Sequence, residues 1–463
     1  MKAWKEIDLV ELKNFLALYF LTGVDHKPRM DLHWDTRESM YQPFFSKTMS
    51  RDRWQIINRF LHFSDNRELN PNDKLFRLRP VLDYLLRKWQ EKYTPGKNIA
   101  IDEGMMAWRG RLQFRTYCPQ KPIKFGVKSY FLCSAQGYCY KMKPYVGEKC
   151  RLLKTVHYLM EGLFDKGYHL YMDNFYNSVD MADYLNSRGT HVCGTLRKFR
   201  GEPPVIQRAT VKNLKKGEAI ARHNGKVLIT AWHDKKIVKA ISTMHRDTRV
   251  PCSQRQAGRS TAITVQKPES IAEYNKYMNG VDRLDQMIAY YPFTRRTIKW
   301  YKKFTMYLFS ITMYNAFVLY KAATAGDGRK KHLLDFLLSV VQSWANLRRG
   351  REAGGAGAAG AAAGGAAGGA AGGAEMEEGA GDHAPRGSRG PRQDPETRLD
   401  CKLNGHILEQ YPPTAKKTCP TRRCRVCLKK KIRSETAYRC KKCDVALHPV
   451  CFFAFHNKKD YTR

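Results

Sequence analysis

A run of 22 consecutive glycine and alanine residues, Ala353–Ala374, constrains this chain more than any other stretch. An acidic, proline-containing segment follows it to about Thr397. Neither has the apolar side chains to bury a core, so residues 351–398 read as a flexible spacer. The chain of 463 residues is thereby divided into a long body and a short cysteine-rich tail. Length alone suggests about three domains.

The tail speaks of metal. Six of the 13 cysteines (Cys118, Cys133, Cys139, Cys150, Cys193 and Cys252) are scattered through the body without framework spacing. Seven crowd into the tail, four of them in the pairs Cys424-x2-Cys427 and Cys440-x2-Cys443. Adding His448, Cys451 and His456 gives seven zinc-type ligands. Two thiolates two residues apart hold one tetrahedral Zn²⁺, and four ligands close a structural site. Two sites need eight, so Cys419 or Cys401 is expected to supply the last. By analogy with crossed-brace fingers, Cys424 and Cys427 pair with His448 and Cys451, leaving Cys440, Cys443 and His456 for a second site. One or two structural Zn²⁺ are therefore expected, in a reducing compartment, the cytosol or the nucleus.

Charge points to a polyanionic partner. The formal net charge is +39, from 82 basic against 43 acidic residues spread over most of the chain. Such a surface repels itself unless it faces a polyanion, and nucleic acid is the usual one. Anionic membrane is the rival, but no stretch reaches the roughly 18 apolar residues that a span requires. Tyr307–Tyr320 is interrupted by Ser310, Thr312 and Asn315 and reads as a core helix. Glu6, Asp8 and Glu11 stand where a signal peptide would be basic. Residues 291–351 hold 12 Lys or Arg and 2 acids, and residues 399–463 hold 16 and 5. In the first of these, Arg295, Arg296, Lys299, Lys302 and Lys303 alternate with Trp300, Tyr301 and Phe304, as suits phosphate contacts backed by packing or stacking. The tail is expected to touch DNA; a protein-reading finger is the alternative. Arg109 and Arg111, with Lys121, Lys124 and Lys128, either hold phosphates or form a solvated basic face. Trp300 either stacks on a base or sits in the core.

Periodicity organises the body. Residues 1–95 read as helical, with Asp8 and Ser50 as N-caps and a third helix over Lys74–Tyr93, punctuated by Pro80. From Lys97 the period becomes two, with strands expected over Asn98–Met105, Leu112–Cys118, Gly126–Cys133 and Tyr138–Tyr145. A helix (Arg151–Phe164), a strand (Tyr168–Asp173) and a helix (Ser178–Arg188) follow. This order predicts a mixed sheet with flanking helices, as in ribonuclease-H-like nucleases, over residues 96–189. Residues 190–267 return to short strands, among them Lys226–Trp232 and Lys236–Thr243, and read as a β-rich insertion. Residues 268–290 read as one acid-bearing helix. Residues 291–350 read as a further basic, helical segment.

Four acids suggest chemistry. Asp102, in Ile-Asp-Glu-Gly, and Asp173, in Met-Asp-Asn-Phe-Tyr, each end an apolar strand-like run. Asp282 and Asp285 share the segment NKYMNGVDRLDQM, and a spacing of three sets them on one helix face. Carboxylate oxygens suit hard divalent ions, and two such ions over a phosphate are what phosphodiester transfer uses. A solvated or capping acid is the plainer reading of each one alone. His157, His169 and His191 are assigned no role.

The motifs IDEGM, WRGRLQFRTYCPQKPIKFGVK, YMDNFYNS, NKYMNGVDRLDQM and TIKWYKKF, in this order, resemble the piggyBac transposase family. The similarity is collinear from about residue 4 to the C-terminus, broken mainly by the Gly/Ala run. The resemblance implies a catalytic triad of Asp102, Asp173 and Asp282 holding two Mg²⁺, with Asp285 in support. It implies a ribonuclease-H-like catalytic domain with an insertion and a split helical dimerisation and DNA-binding domain. It also implies cut-and-paste transposition in the nucleus by a homodimer, through a hairpin on the element end and scarless integration at TTAA. Family members commonly carry an acidic N-terminal extension; this chain reaches its first helix almost at Trp4, which reads as a truncated product. Two alternatives stand beside the active transposase: a domesticated, catalytically silent DNA- or chromatin-binding protein, and a zinc-finger interaction protein on a retired scaffold. A full acid triad favours the active transposase.

Overall fold

The computed structural model describes residues 4–68, 70–148, 152–210, 213–255, 262–326, 331–355, 394, 399, 406–413, 418–430 and 432–457. They belong to two compact units, residues 1–362 and 363–463. The Gly/Ala run from residue 356 onward lies outside the described residues.

The first unit opens with α1 (Leu9–Leu21), α2 (Pro43–Thr48), α3 (Arg51–Phe60) and α4 (Arg79–Glu91). The Asp8 carboxylate accepts from the Glu11 N–H at 2.7 Å, and the Ser50 hydroxyl from the Arg53 N–H at 3.4 Å, so both N-caps act as expected. The third helix starts at Arg79, not at Lys74. Pro80 fits only a first turn, where its missing N–H has no partner to lose.

The sheet follows: β1 (Asn98–Ala107), β2 (Thr116–Tyr117), β3 (Phe125–Ser134), β4 (Cys139–Pro144), α5 (Leu152–Met160), β5 (His169–Met172), α6 (Val179–Ser187) and β6 (His191–Thr195). After α7 (Pro204–Gln207) come β7 (Ala219–His223), β8 (Leu228–His233) and β9 (Ile237–Ser242). The nine strands run in the order β2-β3-β1-β5-β6-β9-β8-β7, with β4 also on β3. β1, β5 and β6 are parallel, and β3 and β9 flank them antiparallel. The strand expected over Leu112–Cys118 shrinks to β2. Strands β6 to β9 are not a separate sheet but continue this one. Val192 and Cys193 of β6 are buried, so their backbone groups need a ladder on each side, and β9 supplies the second. β10 (Arg249–Arg255) and β11 (Ala262–Pro268) pair with each other, apart from this sheet.

Four helices end the unit: α8 (Glu269–Tyr277), α9 (Gly280–Tyr290), α10 (Trp300–Ala323) and α11 (Leu333–Gly355). The single acid-bearing helix expected from the sequence is two, broken at Met278–Asn279. Gly280 crosses the end of β3, where a Cβ would meet the Ser134 carbonyl oxygen at 2.6 Å. One face of the sheet, with Ile99, Ile101, Leu132 and Met172, packs against α5 and α6. The other, with Met106, Phe131 and Cys133, packs against α4, α9 and α10. A third core joins α1, α2 and α3 to α10 and α11 through Phe15, Phe45, Trp54, Met306 and Val341. Among the described residues no helix is long and apolar enough to cross a membrane.

The second unit has only short elements: β12 (Leu408–Gln410), β13 (Arg422–Arg423), α12 (Arg425–Lys429), β14 (Glu435–Thr436), β15 (Tyr438–Cys440), β16 (Val445–Ala446) and α13 (Pro449–Asn457). Its buried core is Cys424, Val426, Cys440, Leu447 and Phe455. So few apolar side chains do not hold a fold alone, and two of the five are thiols.

Candidate metal centres

The parallel register of β1 and β5 pairs Ile101 with Met172. Asp102 and Asp173 come next, side by side; Asp173 follows the end of β5 as expected, whereas Asp102 lies mid-strand, because β1 stays paired with β3 as far as Ala107. Strand alternation puts them in phase with Ala100 and Tyr171, which pack with Met278 on the face that carries α8 and α9. The edge is braced from below. Asn177, fully buried, donates from Nδ2 to the Met172 carbonyl at 2.8 Å and to the Thr195 carbonyl at 3.0 Å. Gly194 makes room for it: a Cβ there would lie 2.0 Å from the Met172 oxygen and 2.1 Å from Asn177 Nδ2.

The acids of α9 separate. Val281 and Leu284 are buried, and Asp285 beside them is half-buried against β1, its Oδ1 3.1 Å from where a Cβ on Gly104 would stand. Asp282 lies in the first turn of α9 with its side chain exposed. The two are not equivalent members of one face, because the packed stripe runs through position 285 and leaves 282 at its rim. Burial raises Asp285 to about 7, with Lys121 opposing and the charge of Asp282 adding. Burial likewise lifts Asp173, and the nearby Glu103 charge adds to it. Asp102 is pushed far above the usual carboxylate range by burial and then by the Glu103 carboxyl beside it. Asp102 and Asp173 side by side on one face, with the exposed Asp282 on the helix packed over that face, are a set of carboxylate donors that suits a hard divalent cation. They are not drawn into one tight cage: among the described residues, only Cys/His groups bring three or more ligand atoms within 4.8 Å of one another.

The basic residues divide by what they touch. Lys121 Nζ donates to the Glu103 carbonyl, and Lys128 pairs with the Glu103 carboxylate at 2.9 Å. Arg109, Arg111, Lys124, Arg296 and Lys299 are exposed. Arg295 is half-buried and donates to the Thr22 carbonyl at 2.6 Å, tying the approach to α10 onto the end of α1. Lys302 is buried and donates to the carbonyls of Asn58 (2.5 Å) and Arg59 (3.1 Å), in the last turn of α3; burial lowers it to about 8. Lys303 is half-buried, and burial lowers it too. Trp300 meets Phe114 edge-on at 5.2 Å. Arg295 and Lys302, expected at DNA, therefore hold helices together, because free carbonyls at a helix end need donors.

In the second unit two sets of ligands close. Cys424, Cys427, His448 and Cys451 form one group, and His406, Cys440, Cys443 and His456 the other. Cys427 Sγ lies 3.4 Å from His448 Nδ1 and 3.9 Å from Cys451 Sγ. His406 Nδ1 lies 3.5 Å from Cys440 Sγ and 3.4 Å from Cys443 Sγ. A tetrahedral zinc with bonds of about 2.3 Å to sulfur and about 2.0 Å to nitrogen requires spacings of this order. His448 Nε2 faces the Glu435 carbonyl at 3.0 Å, which fixes its proton there and leaves Nδ1 for a metal. Among the described residues the eighth member of the two groups is a histidine, His406, where a cysteine was expected: Cys419 is exposed and outside both groups, and Cys401 lies outside the described residues. His406 escaped notice because it stands 18 residues before Cys424 with no ligand beside it. The signal available was the missing eighth donor, which any isolated histidine of the tail satisfies as well as a thiol. Along the chain the two sets interleave.

Residues 1–317 match the family model described as Transposase IS4, a piggyBac-type transposase model. The chain belongs to the piggyBac transposase family. Asp102, Asp173, Asp282 and Asp285 all fall within the matched residues; the Cys/His unit lies beyond them. The human PiggyBac transposable element-derived protein 3 is 28% identical over 97% of this chain, which spans 70% of that relative. The human chimeric ERCC6-PGBD3 protein is 28% identical over the same share, and the chain spans only 39% of its length. The solved cryo-EM structure of a piggyBac transposase synaptic complex with hairpin DNA shares the fold, with a TM-score of 0.66 at 24% identity over 76% of this chain and 75% of that one.

Proposed function

We propose that the protein is a metal-dependent DNA transposase of the piggyBac type that cuts and joins DNA at TTAA with Asp102, Asp173 and Asp282. The observation that carries this reading is the pair Asp102, within β1, and Asp173, just past the end of the parallel neighbour β5, side by side with α9 on the same face. Membership of the family supports it. The sheet would be a ribonuclease-H-like catalytic core, and α1 to α4 with α10 and α11 the DNA-binding and dimerisation part.

Asp102, Asp173 and Asp282 would hold two Mg²⁺. Bound metal would supply an activated attacking oxygen and charge neutralisation at the phosphate. The chain's own part is to fix the donors. Asn177 pins the strand end that carries Asp173, the Glu103 N–H holds Asp102 Oδ1 at 2.8 Å, and the Phe175 N–H holds Asp173 Oδ1 at 2.8 Å. Asp282 keeps its carboxylate open, while Asp285 supports the helix on the sheet. Exposed Arg109, Arg111, Arg296 and Lys299 would meet the backbone of double-stranded DNA, with Lys303 and Trp300 packing behind them. The two Cys/His groups would each hold a structural Zn²⁺ and give the basic tail a DNA-reading surface. A homodimer acting in the nucleus is part of the same proposal, since two element ends must be joined together.

Purified protein, Mg²⁺ and a duplex carrying TTAA beside an element end test the proposal. Specific nicking that disappears in Asp282→Asn, with duplex binding kept, supports it. Equal binding without nicking in both forms overturns the enzyme and favours the silent, DNA-binding alternative.

A further inference from the structure

The loop after β6 holds a phenylalanine where a phenylalanine is costly to hold. Phe199 has φ of 62°, in the left-handed region, and its side chain is 83% exposed. Neither feature is an accident of a loose loop. Glu202 Oε1 accepts from the Phe199 N–H and Oε2 from the Arg200 N–H, both at 2.9 Å. That carboxylate is itself fully buried and ion-paired to Lys239 at 3.2 Å, with the lysine side chain 6% exposed. The Arg200 carbonyl accepts from the Val179 N–H at 3.0 Å, tying the loop to the start of α6. Single exposed apolar residues are ordinary on protein surfaces. An aromatic side chain driven outward by a buried ion pair, on a backbone that glycine would suit better, is not. Strain of this kind persists where its surroundings enforce it and gathers at working sites.

The position says what the tip would meet. β6 runs parallel to β5, so the loop leaves the sheet at the same edge as Asp173. Arg197 donates to Asn174 Oδ1 at 2.5 Å, one residue beyond Asp173, and lies 5.6 Å over the Phe175 ring. Arg197 and Lys198 are exposed and Arg200 half-exposed, while the only acid of the loop, Glu202, is buried. A rigid aromatic tip among cations suits nucleic acid: the cations take the backbone, and the ring takes the face of a base.

We infer that Phe199 is a stacking wedge, which inserts against an unpaired or opened base of DNA lying along the acid-bearing edge. This rests on the proposed DNA substrate and adds a residue that discriminates opened from fully paired DNA. Stacking of one base on an aromatic side chain predicts a preference of about tenfold or more.

The test uses the full chain without added Mg²⁺ and two DNA probes, a perfect duplex and the same duplex with 2-aminopurine in a central mismatch. The wild type is expected to bind the mismatched probe about tenfold more tightly and to quench its fluorescence. Phe199→Ala should lose the quench and the preference while binding the perfect duplex as before. Phe199→Trp should keep both, and Phe199→Gly should lose both while melting no lower than the wild type. A wild type with no preference, or a quench that survives Phe199→Ala, overturns the wedge and leaves the transposase proposal standing. A wild type that binds neither probe overturns the DNA reading and the wedge with it.

Discussion

The carboxylate of Asp285 occupies the space that any side chain on Gly104 would need. A Cβ built on Gly104 lies 3.1 and 3.2 Å from the two Asp285 oxygens and 2.8 Å from Cε2 of Phe131. The Asp285 side chain of α9 thus reaches down onto β1 where Gly104 has no Cβ, two residues past Asp102. Gly104→Ala is expected to cost about 1–3 kcal/mol through overpacking. It should also push α9 outward, and Asp282 with it. Thermal melts set beside nicking assays check this: the variant should lose more nicking than its melting temperature accounts for, and a fully active Gly104→Ala would refute the close seating.

Acid should weaken the fold through His169. Its ring is half-buried beside Lys97 and His191, and burial first, then those charges, lowers it to about 4 from an ordinary 6.5; Glu273 opposes them and His245 adds to the lowering. The folded state therefore refuses a proton that the unfolded chain accepts. This contribution is fully present above pH about 6.5 and is lost as pH falls toward 4. His169→Gln should flatten that limb of a stability-against-pH curve measured by chemical denaturation. An unchanged slope between those pH values would show that the acid limb comes from elsewhere.

Much of this was legible in advance, for identifiable reasons. Local rules marked the N-caps at Asp8 and Ser50, and alternation marked β1, β3, β4 and β5, whose apolar runs are buried. Asp102 and Asp173 could be named because each follows a short apolar run, although β1 continues past Asp102 to Ala107. What sequence could not supply was tertiary. The split between α8 and α9 is set by the approach of Gly280 to the Ser134 carbonyl, and joining β6 to β9 depends on a pairing 40 or more residues apart. The unequal fates of Asp282 and Asp285 depend on where the sheet lies, which a three-residue spacing does not contain. Arg295 and Lys302 read as DNA ligands because a basic side chain spent on a carbonyl looks the same in sequence as one facing solvent.

That last distinction separates two lysines three residues apart. Lys299 is exposed in a cleft with Arg59, Arg67 and Arg77, whereas Lys302 is buried on the carbonyls that end α3. Lys299→Ala should leave the melting temperature within error and weaken binding to any duplex, reducing the slope of log affinity against log salt by about 1. Lys302→Ala should destabilise the fold by about 1–3 kcal/mol, because two carbonyls lose their donor. Salt-titrated binding and thermal melts on both variants decide the point, and a reversal of the two patterns would place Lys302 at the DNA after all.

The Cys/His unit should stand or fall with its metal. Its five buried core residues include Cys424 and Cys440, so binding energy must replace core burial; zinc-finger peptides draw roughly 10–16 kcal/mol from zinc at neutral pH. Elemental analysis of the purified chain is expected to give two zinc ions per molecule. His406→Ala should bring this to one, since it removes a ligand from only one of the two groups, while Cys419→Ala should leave it at two. Chelation should abolish the amide protection of β12, β15, α12 and α13 measured by hydrogen exchange and leave that of β1, β5 and β6 unchanged. Two ions retained by His406→Ala would return the eighth position to a cysteine, and loss of zinc in Cys419→Ala would name which one.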